Sequence, residues 1–242
     1  MYCKLCQNNK KLMNSHIIPE FIYKPLYDDK HRFHVLSTYS AKGKPMEQKG
    51  IREKLLCTDC EQHLSKYEGY ARKVLFGGVN IVVQNDNGGI VVSEIDYKYF
   101  KLFQLSILWR ASVSSHKMFK NVNLGKHQHM IRQMILSDIP GHQEEYCCVM
   151  MAIKSGSDGM GTFIDQPEKG RIDNHVVYRF IFGSIVWIYF VSSHKIPKLI
   201  NDFLLTEKGN IRLAVKDISE LDCVKGFAQD LHHMGRFSND IA

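Results

Sequence analysis

Leu56-Cys57-Thr58-Asp59-Cys60, running on into Glu61-Gln62-His63-Leu64, is the stretch that decides how the first third of this 242-residue chain folds. Two cysteines spaced by two residues make a tight knuckle. The residues after it are helix formers without proline as far as Gly77-Gly78, so a helix over 61–76 follows. The same spacing occurs in Cys3-Lys4-Leu5-Cys6. Two such pairs offer four soft thiolates, the donor set of tetrahedral structural zinc, so Cys3, Cys6, Cys57 and Cys60 are assigned to one Zn2+ that closes an N-terminal module. The fifty residues between Cys6 and Cys57 leave room for a functional element held between two knuckles.

Composition agrees with a globular chain, since 44% of residues are hydrophobic. No apolar run approaches the ~18 residues of a membrane span, and Met1-Tyr2-Cys3-Lys4 lacks the apolar stretch of a secretory signal. A cytoplasmic protein without a membrane partner is expected. Seven cysteines are an odd number, and the C-x2-C spacing of two pairs is a pattern that in a reducing compartment points to metal rather than to disulfides. Cys147 and Cys148 sit in the apolar stretch 146–153 and read as buried small hydrophobes, and Cys223 is left over. The formal charge is +7, and residues 1–80 carry 14 Lys and Arg against 8 Asp and Glu, a surplus of six. Such a module suits a polyanionic partner, although charge alone is equally consistent with a solvated basic surface.

Between the knuckles, residues 12–18 read as a strand that carries Asn14-Ser15-His16-Ile17-Ile18 and is followed by a turn begun at Pro19. A histidine at a strand end before a proline turn is rigidly held, and by itself it fits a structural role as well as a chemical one. Residues 37–50 are rich in Ser, Lys, Gly and Pro and read as an exposed loop, and residues 51–56 read as a second strand. The order is strand, loop, strand, knuckle, helix. On the helix, Glu61, Ser65 and Glu68 share one face by their i, i+4, i+7 spacing, so two carboxylates could meet a hard cation there or simply be solvated. His63 points away from that face, toward Tyr67 or solvent.

Taken together, the Cys3/Cys6 and Cys57/Cys60 pairs, the Ser15-His16-Ile17-Ile18-Pro19 run and a helix opening at the second knuckle resemble the HNH endonuclease family, in the branch whose ββα-metal fold is bracketed by two C-x2-C pairs. The resemblance covers about residues 1–76. It implies that His16 is the general base and that the helix supplies a ligand to a catalytic Mg2+ or Mn2+, with Glu61 standing where the family usually has histidine and Glu68 as a second candidate ligand. It also implies DNA as substrate and a setting in bacterial or phage defence. Lys49, Arg52, Lys54, Lys66, Arg72 and Lys73 are the candidate phosphate contacts. Two departures stand out: Ser15 occupies the place of an acidic metal ligand, and no asparagine occurs from residue 15 to 79. Gln48, Arg52 and Glu53 remain candidates for the missing middle position. The alternative is a catalytically inactive, zinc-containing nucleic-acid-binding protein.

The rest of the chain is expected to be an α+β domain with an antiparallel sheet. A hairpin spans 79–92 around Asn85-Asp86-Asn87-Gly88, helices cover 96–114 and 126–136, and strands cover 146–154, 176–183, 185–191 and 211–215, with a helix near 197–205. Trp109-Arg110 reads as a packed aromatic beside an arginine reaching a carboxylate, and 112–116 and His232-His233 read as surface or capping residues. The expected division is 1–78 for the zinc-binding module and 79–242 for substrate selection, dimerisation or binding of a partner subunit.

Overall fold

The computed structural model describes residues 1–34, 46–86, 89–154 and 163–222, with Lys225. Most of the loop expected over 37–50, the turn residues Asn87 and Gly88, Cys223 and His232-His233 lie outside these residues.

The N-terminal module is built from β1 (Leu12–His16), the short α1 (Glu20–Tyr23), β2 (Arg32–His34), β3 (Met46–Gln48), β4 (Arg52–Cys57) and α2 (Thr58–Phe76). Strands β1 and β4 pair antiparallel with His16 opposite Arg52, and β2 pairs with β3 in a separate two-stranded ribbon. Three residues expected in the loop, Met46–Gln48, are therefore in a strand. Helix α2 begins at Thr58, directly on the second knuckle, with Asp59 and Glu61 in its first turn where acidic residues favour the helix dipole. Its buried stripe is Cys60, Leu64, Tyr67 and Ala71.

There follow β5 (Val82–Asp86), β6 (Gly89–Ser93), α3 (Tyr97–Val113), α4 (His127–Leu136), β7 (Cys148–Lys154), β8 (Glu168–Ile172), β9 (His175–Phe182), β10 (Ile185–Val191) and β11 (Ile211–Asp217). The segment expected as a helix near 197–205 is a 3-10 helix, Lys198–Phe203. All seven strands β5 to β11 join one sheet in the order β5-β6-β11-β7-β10-β9-β8. The expected antiparallel pairing holds at every junction but one, because β11 runs parallel to β7.

Helix α3 organises the molecule. Asp96 caps its N-terminus by accepting from the Tyr99 N–H at 3.0 Å, and every residue from position 100 to 111 is buried. A helix apolar around its circumference needs cover on all sides. The sheet covers one side, where Trp187 of β10 meets Phe100 and Phe103 with ring centroids 6.2 and 6.1 Å apart. The N-terminal module covers another, where Phe21 of α1 stacks on Phe103. Residues on both sides of the 78/79 division thus share one hydrophobic core, from Leu5 and Tyr67 through Trp109 to Leu213. Cys147 and Cys148 are buried, as expected, and burial pushes the Cys147 thiol up to about 11.

The entry into α3 is buttressed by Gly209, whose carbonyl accepts from the Ile95 N–H at 3.0 Å. Its φ of +79° lies in the left-handed region, and a Cβ there would stand 2.1 Å from the Ile95 oxygen. Gly209→Ala combines backbone strain with a clash against main chain that cannot move alone, so it is expected to destabilise the fold by about 2 kcal/mol or more, measured by urea denaturation. An unchanged midpoint would contradict this packing.

Candidate metal centre and histidine cluster

The first knuckle is closed by its own backbone: the Gln7 N–H donates to the Cys3 carbonyl at 2.8 Å and the Cys3 N–H to the Asn8 carbonyl at 3.0 Å. The Lys4 N–H then donates to the Leu55 carbonyl at 3.0 Å, which sets this knuckle against the end of β4. The four sulfurs of Cys3, Cys6, Cys57 and Cys60 all lie within 4.8 Å of one another, and Cys6 Sγ and Cys57 Sγ are 3.8 Å apart. A tetrahedral ion with Zn–S bonds of about 2.3 Å requires sulfurs about 3.8 Å apart, so the cluster fits a metal ion and is consistent with structural zinc. The Cys57 N–H donates to Cys3 Sγ at 3.3 Å, as thiolate ligands favour. Burial and the neighbouring thiols push the Cys60 thiol up. Only a cation among four crowded sulfurs lets all of them ionise.

The end of β1 carries a second cluster. His16 Nε2 lies 2.5 Å from Glu20 Oε2 and 2.8 Å from Arg52 Nε. A ring nitrogen has one in-plane direction, so Nε2 either accepts from Arg52 or donates to Glu20, according to tautomer. Glu20 is fixed further by Tyr27, whose hydroxyl donates to Oε1 at 2.8 Å, and by Arg52 Nη2 at 3.4 Å from Oε2. Burial, then the Arg52 charge, lower the His16 pKa below its ordinary 6.5, against opposing contributions from Glu20 and Glu68. Burial acts to raise Glu20, but the Tyr27 hydrogen bond and the charges of His16 and Arg52 outweigh it and hold the carboxyl below its usual range. These two shifts ask different things of His16, and the neutral ring follows because Arg52, always charged, already serves as the counter-charge of Glu20.

Helix α3 holds this cluster from behind. Arg110, buried, donates from Nη1 to the His16 carbonyl at 2.9 Å and pairs with Glu68 Oε1 at 2.7 Å, the carboxylate expected of an arginine at that position. Just beyond the helix end, Ser114 Oγ and Ser115 Oγ donate to Glu53 at 2.7 and 2.5 Å. His116 acts as a cap, its Nδ1 accepting from the Met118 N–H at 3.3 Å. On α4, Arg132 Nη1 donates to the Leu5 carbonyl inside the first knuckle.

The expected site residues therefore divide. Glu68 is committed to Arg110, Glu53 to the two serines, and Ser15 Oγ, buried, accepts from the Leu56 N–H at 3.1 Å. Glu61 keeps one shielded carboxylate oxygen without a hydrogen-bond partner among the described residues. Arg52 is half-buried against His16, whereas Lys49, Lys54, Lys66, Arg72 and Lys73 are exposed. His63 turns to Tyr67 and the Ile135 carbonyl. Glu20 and Arg110 were not singled out from the sequence as partners of His16. The i, i+4 spacing of His16 and Glu20 was the available signal, masked by the intervening Pro19 turn.

Among the described residues the four cysteines form the one group of three or more His, Cys, Asp or Glu donors close enough to share an ion, and no helix is long and apolar enough to cross a membrane. No protein-family model, curated protein or solved structure matches the chain.

Cys57→Ser removes one sulfur from the cluster and with it the closure between β4 and the first knuckle. The expected result is loss of bound metal after purification and a melting temperature lower by about 10 °C or more, read by metal analysis and calorimetry. Full metal content with an unchanged transition would contradict the assignment.

Proposed function

We propose that the four cysteines hold structural Zn2+ and that the protein is a metal-dependent HNH-like endonuclease acting on DNA phosphodiester bonds. The observation that carries this proposal is His16 itself. It is neutral, half-buried and fixed at the strand end of a ββα unit stapled by four cysteines, with Nε2 engaged and Nδ1 without a partner among the described residues. When Nε2–H donates to Glu20, Nδ1 presents its lone pair and can take a proton from a water attacking phosphorus. Tyr27 and Arg52 hold Glu20 for that task, and Arg110 fixes the His16 backbone. Glu61 stands at the helix position that the resemblance makes a metal ligand, and a Mg2+ ion held there would neutralise charge on the scissile phosphate. The exposed lysines and Arg72 supply phosphate contacts that position a duplex without reading its bases.

A second reading is favoured by the committed carboxylates. With Glu68 and Glu53 tied up, and Ser15 in place of an acidic ligand, Glu61 stands alone as a donor, which suits a zinc-stapled nucleic-acid-binding protein without catalysis. That reading predicts salt-sensitive DNA binding and no product in any divalent metal.

Cleavage of supercoiled plasmid in Mg2+ or Mn2+ tests the proposal, with His16→Ala expected to lower the rate by about 10²-fold or more at unchanged zinc content. Because the His16 pKa is lowered, the proton-accepting form is fully present above pH 6.5 and is lost as pH falls through the lowered value. The acid limb of the rate profile should therefore lie below 6.5. Cleavage retained by His16→Ala would overturn the assignment, and DNA binding without cleavage would establish the second reading.

A further inference from the structure

The four residues of the cysteine cluster are not equally shielded. Cys3, Cys57 and Cys60 are buried, whereas Cys6 is only half-buried. Lys10 lies on the same side: its exposed ammonium is 2.5 Å from Asp59 Oδ2 on α2, and its charge also interacts with the sulfurs of Cys57 and Cys6. A thiolate that is partly exposed beside a cation is the arrangement in which cysteines react with oxidants. Cys57 Sγ stands 3.8 Å from Cys6 Sγ. Cys3 Sγ accepts from the Cys57 N–H at 3.3 Å, which draws charge from it and leaves Cys57 the better nucleophile of the two toward Cys6.

Given structural zinc, and independently of any nuclease activity, we infer that Cys6 is the site at which a peroxide oxidises the cluster, and that a Cys6–Cys57 disulfide then takes the place of the ion. The Cys6 thiolate attacks one peroxide oxygen and becomes a sulfenic acid as the O–O bond breaks and hydroxide leaves. The Cys57 thiolate attacks the Cys6 sulfur, the S–O bond breaks, and a second hydroxide leaves as the S–S bond forms. Two thiolates have then given two electrons to one peroxide. With two of its four ligands spent, the ion departs as Zn2+, while Cys3, Cys60 and the two hydroxides each take a proton from solvent. The new bond joins the first knuckle to the end of β4, the two stretches of chain that the ion would otherwise hold together. Oxidation therefore exchanges one clamp for another: the module stays closed when oxidised and metal-free, and loosens when reduced and metal-free.

The full chain, purified without added metal, would be assayed for zinc and then treated with hydrogen peroxide beside a zinc-sensing dye. The zinc content before treatment tests the zinc reading by itself. From the loaded chain, peroxide should release the ion, peptide mapping should find Cys6–Cys57 as the first disulfide, and dithiothreitol with Zn2+ should restore the loaded form. Calorimetry should show the oxidised, metal-free chain melting close to the loaded one and well above a chain stripped by chelator under reductant. Cys6→His keeps four donors but places no thiol at the open position, so it should release its ion roughly tenfold more slowly or less readily still. Mapping of the wild type decides alone should that variant fail to hold the ion. A loaded chain that keeps its zinc under peroxide, release from Cys6→His at the wild-type rate, or a first disulfide other than Cys6–Cys57 would overturn the assignment.

Discussion

Four sulfurs drawn from two distant points of the chain set the geometry on which the N-terminal module depends. Cys3 and Cys6 lie before β1, and Cys57 and Cys60 lie at the junction of β4 and α2, so an ion held among them would fix the ends of both strands and the start of the helix at once. A two-stranded ribbon is marginal in water by itself. Here the buried stripe of α2, with a metal ion held by the four cysteines, would replace the further strands that such a ribbon otherwise needs. The His16 cluster lies at the far end of this ribbon from the Leu12–Cys57 pairing, where the strands are held by the Arg52 and Glu20 contacts instead of by sulfur.

The second constraint is α3. Because its middle is buried on every side, it belongs as much to the N-terminal module as to the sheet, and its two buried cations reach partners on both sides. Lys101 Nζ donates to the Tyr146 carbonyl at 3.1 Å, while Arg110 holds the His16 carbonyl and Glu68. Burying an arginine requires that its donors be met, and that requirement ties the position of the His16 backbone to the sheet-bearing part of the protein. The C-terminal two-thirds thus meets the module through a shared core.

What could be read from the sequence follows the range over which each signal acts. The cysteine pairs, α2, α3 and α4 were legible because ligand spacing and helical composition are local. The alternating strands β7, β9 and β10 were legible for the same reason. Strand β8 was not, since all five of its residues are exposed and offer no apolar pattern. The parallel pairing of β11 with β7 was hidden because side-chain alternation is the same in either direction. Glu68 looked like a free carboxylate because its partner, Arg110, comes from another helix far along the chain. Glu20 was overlooked because proline separates it from the strand that carries His16, although the turn brings the two side chains together.

X-ray absorption at the zinc edge, on protein purified without added metal, measures the clamp most directly. The account predicts one zinc per chain with four sulfur neighbours at about 2.3 Å and no nitrogen or oxygen ligand. A metal with fewer than four sulfurs, or a folded chain without stoichiometric metal, would contradict it and remove the constraint from which the rest of the module has been derived.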